Sequence, residues 1–192
     1  MEWFLFVTAI LLELVYLLMF VLTIKLPKFR FWPPPSPRSW QFFLAWLMAG
    51  IVVVNGAILG LLNFDSAFLP SLPVRMPIAL IFFILGSAIG TWSYMVFGLR
   101  ATLGLGDKLI VKGPYRYTRN PQYIGDSMNA VGYMLLTNSW MVLVIGILGI
   151  LLNVLAPYTE EPWLEKRYGE SYSKYKENVP RFFGRKGKPK AA

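Results

Sequence analysis

The sequence predicts an all-α integral membrane protein with about five transmembrane helices, and three observations carry that prediction. Hydrophobic residues make up 56% of the 192 positions and charged residues only 15%, against about 25% charged in an ordinary soluble domain. The apolar residues gather into long runs separated by short polar segments, each run long enough for a helix to cross a bilayer. The basic residues, 19 in all, fall almost wholly into alternate segments between those runs, the pattern that sets membrane orientation.

Residues 3–24 carry Glu13 as their only charge. At about 1.5 Å per residue they span a hydrocarbon core of about 30 Å, and no small-residue cleavage site follows that would make them a signal peptide. Residues 40–62 form the second run, opened by the turn Trp32-Pro-Pro-Pro-Ser-Pro37, and residues 76–99 the third. The fourth apolar stretch, 123–157, is broken at Thr137-Asn138-Ser139 and reads as a helical hairpin with a short first arm. From Tyr158 the chain turns polar and is expected to open a cytoplasmic amphipathic helix, ending in a flexible basic tail over 184–192. Three units follow: a three-helix scaffold over 1–99, a catalytic part over 100–183, and the tail.

Orientation follows from the loops. Residues 25–39 hold four basic residues and no acid, 100–120 hold five against Asp107, and the chain from 158 onward holds nine. Residues 63–75 hold Arg75 beside Asp65, and 137–139 hold no charge. Five crossings with the N-terminus outside put every basic-rich segment, and the C-terminus, on the cytoplasmic side. The net charge of +9 is therefore expected to meet anionic headgroups rather than nucleic acid. The 14 Phe, 10 Tyr and 7 Trp suit aromatic belts at the two interfaces.

The chain has no Cys and no His, which excludes disulfides, thiolate nucleophiles, imidazole bases and Cys/His metal centres; no metal is expected. Chemistry is left to carboxylates, Tyr, Lys, Arg, backbone groups or a cofactor. The loop over 104–123 is rich in glycine, aromatics and arginine and runs into a helix. Asn120 is expected as its N-cap and Pro121 as its first residue, leaving N–H groups that can hold a carboxylate or phosphate. Asp126 lies in the first turns, where its charge suits the helix dipole. Glu160 and Glu161 follow the last apolar run, and the hairpin returns them to the same side. A cleft with donors on one wall and two acids on the other suits a zwitterion. Its amino group or hydroxyls would meet the acids, and its carboxylate the Arg119 side.

Gly113-Pro-Tyr-Arg-Tyr-Thr-Arg-Asn-Pro-Gln-Tyr-Ile-Gly125, then Glu160-Glu161, then Tyr168-Gly, Tyr172, Tyr175 and Val179-Pro-Arg181, resembles the integral-membrane methyltransferases that use S-adenosylmethionine. That superfamily includes the phosphatidylethanolamine N-methyltransferases and the isoprenylcysteine carboxyl methyltransferases, and the likeness covers 108–183. It implies a cofactor site at the cytoplasmic surface, releasing S-adenosylhomocysteine, held by Lys108, Leu109, Ile110, Gly113, Tyr115, Arg119, Asn120, Pro121, Tyr123, Glu160 and Glu161. It also implies a lipid or lipidated acceptor. Asn120 stands where the carboxyl enzymes usually have His, and Ala156-Pro157 departs from their Arg before the acidic pair. Asn120-Pro-x-Tyr-x-Gly with Asn129, Gly132 and Glu-Glu-Pro is closer to the phospholipid enzymes, whereas the Tyr-rich ending is closer to the carboxyl ones. Tyr123-x-Gly-Asp126 is shared with the sterol reductases, which leaves an NADPH-using enzyme as an alternative.

A methyl sulfonium has a good leaving group, so such an enzyme mainly aligns its reactants and excludes water. A protonated amine acceptor must also lose a proton, and Glu160, Glu161, Tyr123 and Tyr172 are the candidates to take it. Tyr175 and Arg181 are expected at the acceptor. Glu13, an acid inside the first run, is a functional candidate by position. It is expected to contact the acceptor or to hydrogen-bond Asn55 or Asn153; a small transporter built on it is a rival class. Gly86 and Gly90 form a small-residue face suited to close helix packing. The reading is methyl transfer to a membrane lipid, leaning to a phospholipid amine, with carboxyl methylation as the runner-up.

Overall fold

The computed structural model of the chain describes residues 1–26, 28–106 and 108–184. Six α-helices run in order: α1 (Glu2–Lys25), α2 (Trp40–Leu62), α3 (Leu72–Phe97), α4 (Pro121–Thr137), α5 (Trp140–Tyr168) and α6 (Glu170–Asn178). No strand occurs among the described residues. Four helices, α1, α2, α3 and α5, are long and apolar enough to cross a membrane. The exception among the five expected is α4, whose 17 residues measure about 26 Å and include Asp126, Ser127 and Asn129. Of the tail, residues 185–192 lie outside the described residues, as does Asp107 in the basic loop.

The first two runs match their helices to within a residue. The third begins four residues earlier than expected, at Leu72, and ends at Phe97 because Gly98 turns to a φ of 82°. The small-residue face of α3 meets α4 so closely that a Cβ on Gly125 would lie 2.8 Å from both the Gly86 carbonyl oxygen and the Gly90 nitrogen. At the far end of α4 the hairpin turn is clamped by the 63–71 loop. Asp65 N–H donates to the Thr137 carbonyl and Ala67 N–H to that of Asn138, both at 2.8 Å. The Asn138 amide in turn donates to Asp65 Oδ1, and Arg75 pairs with the same oxygen, each at 2.8 Å. Arg75, in the first turn of α3, is thus neutralised at that end of the bundle. Two clusters fill the interior, one around Ala9, Leu59, Met134 and Ile145, the other around Phe20, Phe31, Trp32, Ala45 and Ala156.

The chain does not break at Pro157. Helix α5 runs unbroken for 29 residues through Pro157 and Pro162, about 44 Å, so Glu160 and Glu161 sit inside a continuous helix rather than at the start of a new one. Each proline removes one backbone donor, and side-chain contacts made by Ala156, Glu160 and Glu161 with distant segments hold the helix across the gap. The amphipathic C-terminal helix is instead α6, nine residues long, entered through Gly169 at a φ of 52°. Asn120 does occupy the N-cap position of α4, but its side chain makes no cap bond; the amide donates to the Arg181 carbonyl at 2.9 Å, because the C-terminal segment folds back over the helix start.

Candidate active site

Three segments converge on the start of α4. The Thr118 hydroxyl and the Asn120 amide both donate to the Arg181 carbonyl, and the Arg119 N–H donates to that of Pro180, each at 2.9 Å. These bonds pin residues 179–181 over the cleft. Tyr175 of α6 closes the side, its hydroxyl donating to the Tyr115 carbonyl at 2.7 Å. Tyr115 in turn stacks on Phe97, ring centroids 5.0 Å apart and nearly parallel.

The cleft between them holds about 90 Å³ and is lined by Lys108, Leu109, Ile110, Tyr115, Arg119, Asn120, Tyr123, Glu160, Glu161, Tyr172 and Tyr175, all singled out from sequence. Four expected residues lie elsewhere. Gly113 turns the loop at a φ of 59° against Val96, and Pro121 is buried beneath the cleft. The Arg181 side chain pairs with Glu161, and Glu13 lines a separate cavity.

The two adjacent acids are used differently. The Glu161 carboxylate takes both Arg181 Nε–H and Nη2–H at 2.7 Å and pairs with Arg119 Nη1 at 3.1 Å. A bidentate guanidinium–carboxylate bond of this kind fixes geometry as well as charge. The same Arg119 nitrogen donates to the Tyr172 hydroxyl at 3.2 Å. Burial first, and then the nearby Glu161 charge, pushes the Tyr172 phenol up, so it stays protonated. The bonds to Glu161 hold the Arg181 guanidinium above its ordinary range. Glu160 faces the other way. Its Oε1 accepts from the Tyr123 hydroxyl at 2.5 Å and from the Trp32 indole N–H at 2.6 Å.

Trp32 is the residue that sequence reading missed. It lies in the Pro-rich turn assigned to the scaffold, and the only signal was a tryptophan locked beside prolines. The loop glycine Gly104 answers it, with a φ of +76° and so little room that a Cβ would stand 2.7 Å from Pro34 and 3.2 Å from the Trp32 ring. Phe97, Gln122 and Trp163 also line the cleft. The Trp163 ring lies between the guanidiniums of Arg30 and Arg167, at 5.7 and 5.0 Å.

Trp32 and Tyr123 line a second space as well, a cavity of about 610 Å³ among α1, α2, α4 and α5. Its α5 wall runs from Ala156 to Val142, about 21 Å along the axis, and its surface is mainly apolar. The small cleft, which carries Arg119, Glu160 and Glu161, and the long apolar cavity meet at Trp32 and Tyr123. A family model described as phospholipid methyltransferase matches residues 74–171, just over half of the chain.

The chain belongs to the phospholipid methyltransferase family. The match runs from α3 through α5 into the start of α6 and takes in both acids, the loop and α4. A methyltransferase of this family, with apolar helices of bilayer length, is an integral membrane enzyme. Among the described residues no group of three or more His, Cys, Asp or Glu side chains is placed to hold a metal ion. No curated protein and no solved structure matches the chain.

Proposed function

We propose that this phospholipid methyltransferase uses S-adenosylmethionine, bound in the cleft at the start of α4, to methylate the amine of a membrane lipid held in the long cavity. The observation that carries the reading is the junction itself: Trp32 and Tyr123 border both spaces, and both donate to Glu160. The residues suit the cofactor. Arg119 Nε is a buried donor without a partner, as a carboxylate site requires. Leu109, Ile110 and the stacked Tyr115–Phe97 pair offer an apolar, aromatic wall for an adenine, and Glu160 and Asn120 offer polar groups for ribose or ammonium.

When bound, S-adenosylmethionine supplies an electrophilic methyl on a sulfonium and leaves as the thioether S-adenosylhomocysteine. The protein's part is alignment, dehydration and proton removal. Glu160 is the proton acceptor we favour, because it lies at the junction with its charge steadied by two donors. Glu161 is a positioning residue that holds Arg119, and Tyr172 keeps its proton. Tyr123 orients the junction and Tyr175 shapes its side.

In this reading α4 is the fifth crossing, a short arm of the hairpin. The N-terminus lies outside, and the C-terminus and the site lie on the cytoplasmic side. That orientation is supported by the basic loops; α5, at about 44 Å, outreaches a core of about 30 Å. Residues 100–183 form the catalytic part, with Trp32 contributed by the three-helix scaffold.

The test is purified protein in phosphatidylethanolamine vesicles with methyl-labelled S-adenosylmethionine. Label that stays with the lipid after base treatment is the expected result. Label released as methanol would mean a methyl ester and a carboxyl acceptor instead. No transfer and no cofactor binding would remove the proposal.

A further inference from the structure

The long cavity is lined by acids in a basic protein. In a chain of net charge +9, the charged side chains that line it are Glu13 and Asp126, and no Lys or Arg is among the described residues of its wall. Glu13 is only 3% exposed, and its Oε2 has no hydrogen-bond partner. Neither expected partner meets it: Asn55 donates to the Leu5 carbonyl and Asn153 to the Ser127 hydroxyl. An acid buried within a membrane segment and left unpaired marks a ligand or ion path, since the alternative is an uncompensated polar group. Asp126 lies one helical turn beyond Tyr123 on the same face of α4. Its Oδ1 accepts from the Tyr94 hydroxyl at 2.8 Å. Asn129 and Tyr133 continue that face along the cavity, opposite the apolar Val52 and Val53 of α2.

We propose that Asp126 selects the charge of the acceptor: the cavity admits an amphiphile whose head is an ammonium and turns away one whose head is a carboxylate. Charges interact several times more strongly in such a space than in water, and like charge brought together there discriminates against the wrong ligand. Asp126, next to the junction, meets the head; Glu13, farther along the α1 wall, bonds a donor on the acceptor. The inference deepens the amine reading above and rests on it.

The test uses dodecylamine and dodecanoate, equal in chain and opposite in charge, as competitors of methyl transfer to phosphatidylethanolamine vesicles. In the wild type the amine is expected to compete at least about tenfold better than the carboxylate. Asp126→Asn should reduce that preference by about tenfold while the Kd for S-adenosylmethionine stays as in the wild type. Asp126→Glu should keep the preference. An unchanged preference in Asp126→Asn overturns the proposal. So does an equal loss in Tyr94→Phe, which would mean that Asp126 acts only through its bond to α3. Direct binding of the two amphiphiles to the wild type separates this inference from the reading beneath it. Amine preference without methyl transfer would sink the amine N-methylation reading and leave the cavity's selectivity standing, whereas methylation without amine preference would do the reverse.

Discussion

Trp32 and Glu160 stand 128 positions apart and meet at 2.6 Å, the indole N–H donating to the carboxylate Oε1 that also receives the Tyr123 hydroxyl. A turn that looks like a connector between two membrane helices therefore lines the candidate site. Trp32→Phe keeps the ring and removes the donor, and should lower methyl transfer by about tenfold, the worth of one hydrogen bond to a charged group. Glu160→Gln should cost about 10²–10⁴ in kcat if the carboxylate takes the proton, with the Kd for S-adenosylmethionine changed far less. Equal loss of kcat in both variants would deny Glu160 that role.

Glu161 should behave as a structural anchor. Its side chain is 8% exposed and that of Arg119 5%, and removing one member of a buried ion pair leaves the other uncompensated at about 3–5 kcal/mol. Glu161→Ala is therefore expected to lower thermal stability in detergent markedly, where Glu160→Ala lowers it less. A melt unchanged by Glu161→Ala would show that the triad contributes little to the fold.

Helices α3 and α4 depend on the absence of a side chain at Gly125. Gly125→Ala puts a methyl 2.8 Å from the Gly86 carbonyl oxygen and should cost about 1–3 kcal/mol; Gly125→Val should yield little folded protein. Gly50→Ala, with nothing within 4 Å, is the control and should be neutral or stabilising. Comparing the yield and melting of the three variants decides the point.

Alkaline pH should destabilise the protein through its buried phenols. Burial, then the Glu161 charge at Tyr172 and the Glu160 charge at Tyr115, raises both above their unfolded value. An unfolded tyrosine releases its proton near pH 10, where the folded ones still hold theirs. The stabilisation is complete below that pH and is lost as pH rises toward the folded values, at about 1.4 kcal/mol per pH unit for each phenol. Melting curves from pH 8 to 11 should show the decline, and Tyr172→Phe should make it shallower.

Because the chain has no native cysteine, single cysteines report topology cleanly. Ser71→Cys and Ser173→Cys replace exposed residues at opposite ends of the bundle. A membrane-impermeant maleimide should label only one of them in sealed vesicles. Labelling of both from one side would remove the fifth crossing.

The helices were readable because apolarity along a run is a local property. Burial of backbone polar groups in lipid leaves a helix as the one spanning solution for such a run, and α2 matched to the residue. The end of α5 was misread because Pro157 and the polar residues after it look like a stop, and the contacts that carry the helix onward come from Trp32, Tyr123, Arg119 and Arg181. The Asn120 side chain was misread for the same reason: a cap is a local bond, and a distant carbonyl outcompetes it.

By itself the sequence determined the helical class, the apolar runs, the alternation of basic segments between them, and most of the residues that line the cleft. Only the tertiary structure decided how adjacent acids divide their work, since Glu160 and Glu161 point to partners drawn from different ends of the chain. It alone revealed that a tryptophan of the first loop completes the site and that the long cavity holds acids without bases. Spacing along the chain sets which face a side chain occupies; what stands opposite that face is settled by packing between segments far apart, where a few ångströms determine whether a charge is paired.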